Sequence, residues 1–404
     1  MHPEFFTLPI LDIEVKMYGF CLMVGFLSAV WLAMRRAQRV KADPDIVLDM
    51  SFLALLFGVG GARVFYVVHY WQSQFANVSN PLLAVIDIRG GGLEFLGGIV
   101  GALIAISIYA VRKKVSMRLY LDILAPSVMW GLAFGRIGCF MNGCCFGGPC
   151  VVPSTGERLY PWAVEFPFGS GAHLQQWEDR QVTVPAELIT TKREWLQPSL
   201  IPASQLSMSV ERRERPRRRF EELGKAYREA KAEGVNAEEL AKLKAAAEAE
   251  WKKAKAHESK IAALRLAEQY PSRIEPNRPT SVSELEGIAA EYQSVAVHPT
   301  QLYSSIHAFL LSGVLSTLFY LRKRHGMVIG ALFVLYPIPR VLLELIRVDN
   351  PHDVGGLTVS QFIGLGMLLT GIAYLIILYK RMPERSGVLN TETSKSPKAQ
   401  KSKP

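Results

Sequence analysis

The chain has 404 residues, 50% of them hydrophobic, with a mean hydropathy of +0.16 and a formal charge of +10. The apolar residues come in blocks approaching the ~20 residues that cross a bilayer, and charge is confined to the gaps and one central segment, which excludes an ordinary soluble domain. A nucleic-acid partner is also rejected: residues 380–404 hold seven Lys/Arg and two Glu, a tail that suits solvent or anionic headgroups, and most other basic residues flank apolar blocks.

In chain order the blocks predict about seven transmembrane helices, at roughly 18–34, 47–69, 96–111, 121–141, 301–320, 327–346 and 357–379, hence an all-α integral membrane fold. The first block lacks a basic lead and a small-residue cleavage site, and Arg35, Arg36, Arg39 and Lys41 follow it; it reads as a retained span, not a signal peptide. The third is short unless Gly91 to Leu93 join it. Short-loop charge sets the orientation. Arg35 to Lys41, then Arg112, Lys113, Lys114 and Arg118, then Arg322 to Arg324, then Lys380 and Arg381 fall on one side. Only scattered residues such as Lys16, Arg89 and Arg347 fall on the other. The N-terminus is therefore expected outside and the C-terminus inside. The expected organisation is a membrane domain over 1–147 with four spans, an outer insertion over 148–298, three more spans over 299–380, and a disordered basic inner tail over 381–404.

Within the insertion, Pro, Gly and aromatic residues over 148–207 predict loops with short strands. Residues 211–270 are rich in Glu, Lys, Arg and Ala and predict a charged helical hairpin or short coiled coil. Phe220, Leu223, Tyr227 and Ala230 share one face, Gly234 breaks the run, and Asn236 with Glu239 matches a capping box. Leu240, Leu243, Ala247, Ala254, Ile261 and Leu264 form a second stripe, interrupted by Glu250 and His257. A solvated arm without chemistry is the first reading, and a docking arm the second.

Ionisable groups inside spans cost about 2.5–3.5 kcal/mol at the bilayer centre, so their placement is informative. The alternation puts Tyr18, Arg63, Glu94, Arg136, His298, Gln301, Tyr303, Arg340, Glu344 and Arg347 all in the outer half. The spacing of Arg340, Glu344 and Arg347 predicts one helix face. A structural ion pair is one reading; a phosphate site is the other, because the arginines outnumber the carboxylates and a guanidinium donates two parallel hydrogen bonds to phosphate. Gly90, Gly91, Gly92, Gly97, Gly98 and Gly101 fit either close helix packing or a headgroup-binding loop. Of the five cysteines, Cys139, Cys144, Cys145 and Cys150 lie together. A disulfide from Cys144 or Cys145 to Cys150 is favoured at an oxidising face, ahead of free thiols and of a metal site, for which no CxxC pair exists.

The run from Gly135 through Arg136, Cys139, Asn142, Cys144 and Cys145 to Gly147 resembles the signature of prolipoprotein diacylglyceryl transferases. So do Met17-Tyr18-Gly19, Gly61-Ala62-Arg63, Gly91 to Gly98, Pro161 to Pro167, His298 to Tyr303, and Arg340 through Glu344 to Arg347, over about 10–168 and 296–380. The resemblance implies a multi-pass protein of the bacterial inner membrane, N-out and C-in, with a periplasmic insertion. It implies transfer of the diacylglyceryl group of phosphatidylglycerol to the lipobox cysteine of a prolipoprotein still anchored by its signal peptide. A thioether forms and glycerol 1-phosphate leaves, with no metal or organic cofactor required. By matching motif, Arg136 and Arg340 would be essential and Tyr18 catalytic. Asn142, Gly147, Glu344 and Arg347 would line or support the site, with Arg63, Glu94, Gly97, Gly98, His298, Gln301 and Tyr303 completing the lipid-binding set. Three departures stand out. Leu96 occupies the position where many members carry a His proposed as the thiol's base. Cys139 and Cys144 replace the usual Asn and Glu. Residues 169–295 match no familiar counterpart. The competing expectations are a non-enzymatic phospholipid-binding or transport protein, and an interaction scaffold working through its arm.

Overall fold

The structure, a computed structural model, describes residues 4–8, 13–76, 81–86, 91–152, 154–192, 197–201, 203–206, 210–252, 282–348 and 356–381. It forms two compact units, residues 148–298 and the remainder of the chain on either side of them. Arg89, Gly90, the stripe residues Ala254, Ile261 and Leu264 with His257, and the tail from 382 onward lie outside the described residues.

A short antiparallel hairpin, β1 (Glu4–Leu8) with β2 (Ile13–Lys16), leads into α1 (Met17–Arg39). The helix α2 (Pro44–His69) starts where Asp43 accepts the Asp45 backbone N–H at 2.9 Å and Pro44 pre-sets the first turn. After α3 (Pro81–Ile86) come α4 (Phe95–Arg112) and α5 (Met117–Asn142). Glycine sets the α2–α4 crossing. A Cβ on Gly61 would lie 2.4 Å from the Gly97 carbonyl, and one on Gly101 would lie 2.3 Å from the Phe57 carbonyl. The two backbones touch because Gly97 and Gly101 repeat at the four-residue spacing of membrane helix pairs.

The 148–298 unit holds α6 (Gly171–Glu178), a hairpin of β3 (Ile189–Lys192) with β4 (Gln197–Leu200), α7 (Ala203–Leu206), α8 (Val210–Ala232), α9 (237–252) and α10 (Val282–Glu291). Its core gathers Phe168, Leu188, Leu200, Ile201, Leu206, Leu285 and Ala289. His173 is fully buried there, and burial pushes its imidazole below the ordinary histidine range. Over 210–252 the predicted hairpin is seen as two helices, its remainder lying outside the described residues: Gly234 turns at φ +75°, Asn236 accepts the Glu239 N–H at 2.9 Å, and the Phe220 and Trp251 rings meet at 5.0 Å.

The remaining helices are α11 (Thr300–Leu321), α12 (Met327–Leu335), α13 (Pro337–Glu344) and α14 (Val359–Arg381). The sixth predicted span is thus two helices, because Pro337 has no N–H to continue the ladder. Among the described residues six helical segments, with α12 and α13 taken together, are long and apolar enough to cross a membrane, and α4 is a shorter apolar helix. Phe52, Val64, Val68, Leu310 and Leu369 stand exposed, a surface that suits acyl chains and not water.

Polar groups bolt the bundle at the end opposite the start of α1. Asp122 of α5 is fully buried, accepts the backbone N–H groups of Gly326, Val328 and Ile329 at 2.7–3.0 Å, and pairs with Arg322 at 3.2 Å. It caps α12 from another helix. Arg36, also buried, donates to Ser127 at 2.7 Å and to Ser316 at 3.2 Å, tying α1 to α5 and α11. Two basic residues that read as loop charges are therefore interior cross-links.

Candidate functional site

At the other end of the bundle, α5 ends on Asn142, and Gly143 takes the left-handed conformation at φ +71° that closes many helices. The chain then turns through Cys144 and Cys145, whose carbonyls accept from two fully buried side chains of α11: Gln301 Nε2 to Cys144 at 2.8 Å and Thr300 Oγ1 to Cys145 at 2.7 Å. Cys145 is held at φ +61°, a conformation that costs a non-glycine residue about 1–3 kcal/mol and persists only where its surroundings fix it. The Sγ atoms of Cys139, Cys144 and Cys145 lie within 4.8 Å of one another. All five cysteines are free. The favoured disulfide is overturned: Cys150 is buried within the 148–298 unit against Ala163 and Ala296. The Cys145 thiol is drawn below its ordinary range, first by hydrogen bonds from Cys139 and Cys144 and then by the charges of Arg347 and Arg136. Tyr18, on the first turn of α1, acts electrostatically with the same three cysteines and Arg136. Its backbone lies so close to α5 that a Cβ on Gly138 would sit 3.3 Å from the Tyr18 carbonyl.

Two guanidinium groups, those of Arg340 and Arg347, face one carboxylate here. Glu344 is buried, pairs with Arg340, lies 3.7 Å from Arg347, and accepts from Thr358 Oγ1 at 3.0 Å. Arg340 also donates to Ser360 at 2.9 Å. Arg347 does not continue the helix as its spacing predicted; α13 stops at Glu344, and Arg347 pairs its backbone with Gly147 in an antiparallel bridge. That bridge joins the cysteine loop to the arginine cluster. Arg136 is half-buried and makes no hydrogen bond or ion pair with any described residue.

A model of the prolipoprotein diacylglyceryl transferase family matches residues 3–377. The chain belongs to this family. Proteins named phosphatidylglycerol–prolipoprotein diacylglyceryl transferase are its relatives. That of Rhodopirellula baltica is 26% identical over 411 residues, spanning 93% of this chain and 74% of its own length. Those of Photobacterium profundum and Nitratidesulfovibrio vulgaris are 35% and 36% identical over 42% and 39% of this chain, which spans 63% and 56% of their lengths. The longest of these matches and the family model both run across 169–295, so the segment does not stand wholly apart from the family.

The other expected site residues of this diacylglyceryl transferase family member meet partners of their own within the protein. Arg63 donates to the carbonyls of Ala84, Val85, Gly91 and Gly92 at 2.7–3.0 Å, so it clamps a loop with the groups that would grip a phosphate. Gly97 and Gly98 lie against α2, where a Cβ on each would meet the Gly61 carbonyl at 2.5 Å and the Gly58 carbonyl at 3.2 Å. Glu94 meets His69 Nδ1 at 3.0 Å, a pairing no local spacing announces. Gln301 supports the cysteine loop, Tyr303 lies half-buried on α11, and His298 belongs to the 148–298 unit, 6.0 Å from the Tyr160 ring. Thr358 went unread, although Thr358 and Gln361 form a reciprocal capping box at 3.2 and 3.0 Å that the threonine–glutamine spacing before an apolar run spells out.

Proposed function

We propose that this protein transfers the diacylglyceryl group of phosphatidylglycerol to the lipobox cysteine of prolipoproteins at the periplasmic face of the bacterial inner membrane. It crosses seven times, N-out and C-in, with 148–298 in the periplasm. The observation that carries this reading is Arg136: a half-buried guanidinium with no carboxylate partner among the described residues, which acts with Arg347 on Cys145 in the loop that the Gly147–Arg347 bridge ties to Arg340 and Glu344. A lipid phosphate satisfies that imbalance, and the planar forks can hold it bidentately. The family membership and the relatives' names support the choice of lipid and acceptor. In the reaction the cysteine sulfur attacks the glyceryl carbon, the C–O bond to phosphate breaks, and glycerol 1-phosphate carries away the electron pair. Arginine donors fixed in advance stabilise the charge growing on the departing oxygens. A free thiol, with a pKa near ~8.5, is only a few per cent thiolate at neutral pH, so the positive site also favours the attacking form.

Incubating the purified protein with phosphatidylglycerol and a lipobox peptide should add one diacylglyceryl mass to the peptide. A lipid-binding or transport protein would bind the lipid and leave the peptide mass unchanged. A scaffold would lose its function on deletion of 211–270 and keep it in Arg136→Ala. The transferase keeps turnover after that deletion and loses it in Arg136→Ala and Arg340→Ala.

A further inference from the structure

Cys139 lies on the last turn of α5, and Cys144 and Cys145 follow the Gly143 turn, so a helix end and a fixed loop deliver three half-buried free thiols within 4.8 Å. The loop is held by the buried Thr300 and Gln301 side chains on its carbonyls. Three thiolates around a zinc-class ion, each about 2.3 Å from it, sit about 3.8 Å apart, so rotation of the side chains closes the cluster. Arg347 and Arg136 act on Cys145 and offset the negative charge of three thiolates. Among the described residues no His, Asp or Glu joins the group, which leaves a tetrahedral ion one open position.

We propose that Cys139, Cys144 and Cys145 form a trithiolate site for a thiophilic divalent cation of the zinc class, its fourth position open to the thiol of the incoming peptide. This rests on the transferase reading. The coordinated thiol releases its proton to solvent. Its sulfur then forms the S–C bond while the C–O bond to phosphate breaks toward the departing glycerol phosphate. No side chain then has to act as base, a role that Leu96 cannot fill.

The test uses full-length protein in detergent, reduced, stripped with a chelator, and titrated with Co²⁺. One equivalent should produce sulfur-to-cobalt charge-transfer absorption and tetrahedral visible bands. Cys139→Ser, Cys144→Ser and Cys145→Ser should each abolish or weaken them, and Cys150→Ser should keep them. A cysteine-containing lipobox peptide should shift the visible bands, and its serine counterpart should not. No charge-transfer band in the unsubstituted protein, or a band surviving in the triple serine variant, overturns the site, and the first of these does not depend on any variant folding. Transfer is read in parallel. Full transfer by stripped protein that gives no band sinks the metal site alone. A peptide-responsive band without transfer supports the site and sinks the transferase reading.

Discussion

Arg136 and Arg63 differ in what already surrounds them. Arg63 has four carbonyls on its guanidinium, and Arg136 has no hydrogen-bonded partner among the described residues. A guanidinium saturated by backbone has little left for a ligand, whereas one left short of partners in a half-buried place gains most from an anion. Arg136→Ala is therefore expected to lower transfer by ~10²–10³, the usual loss when one preorganised charge-stabilising donor is removed. Arg136→Lys keeps the charge without the planar fork and should recover only part of that. Arg63→Ala should act elsewhere, freeing the carbonyls of Ala84, Val85, Gly91 and Gly92 at a local cost of about 2 kcal/mol. Its mark would be faster amide exchange over 91–94 with a smaller loss of transfer. Hydrogen exchange and peptide mass measure the two effects; an Arg63→Ala protein with unaltered exchange and the full Arg136→Ala loss would return Arg63 to the binding set.

Close backbone approach between α2 and α4 makes an element-level prediction. Gly101→Ala places a Cβ that would start 2.3 Å from the Phe57 carbonyl, and Gly60, on the neighbouring face of α2, has nothing within 4 Å of its Cβ position. Overpacking of this kind costs about 1–3 kcal/mol, while an unobstructed Gly→Ala in a helix gains up to about 1 kcal/mol. Thermal unfolding in detergent should show Gly101→Ala lowered and Gly60→Ala unchanged or raised; the same shift in both would mean that the crossing is not set by contact. Six of the seven expected spans were legible because each is a block of apolar residues, a local property, while α4 is a shorter apolar helix. The arm was legible because its caps are local too. What escaped reading depends on partners far away in sequence: Asp122 capping α12 across some two hundred residues, Arg36 and Arg322 turned inward, and the fully buried Thr300 and Gln301 holding the cysteine loop. At the site, spacing gave Arg340 and Glu344 their pairing but misplaced Arg347, because the helix end that redirects it to Gly147 carries no sequence mark. The nearness of Cys150 in sequence likewise misled, since its thiol packs into the other unit.

At the scale of the molecule, the proposed transfer depends on which end of the bundle faces the periplasm. Arg136, Arg340 and Arg347 sit at the end where α1 begins; the exposed Arg35, Arg39, Lys113 and Lys323 sit at the other. Burial of Arg36 and Arg322 thins the charge available to fix topology, but enough exposed cations remain at that end for the inner side to be its expected place. The arm supplies a direct readout, because α8 alone carries a dense run of Arg and Lys, Arg217 to Arg219 among them, on an exposed helix. Trypsin added to intact spheroplasts should cut within 210–252 and leave the Arg112–Arg118 and Arg322–Arg324 segments whole until the membrane is lysed. The opposite pattern would put the arginine cluster on the cytoplasmic side. Exported precursors anchored by their signal peptides present the lipobox cysteine at the outer leaflet, so a cluster on the inner side could bind a phospholipid but could not reach that thiol.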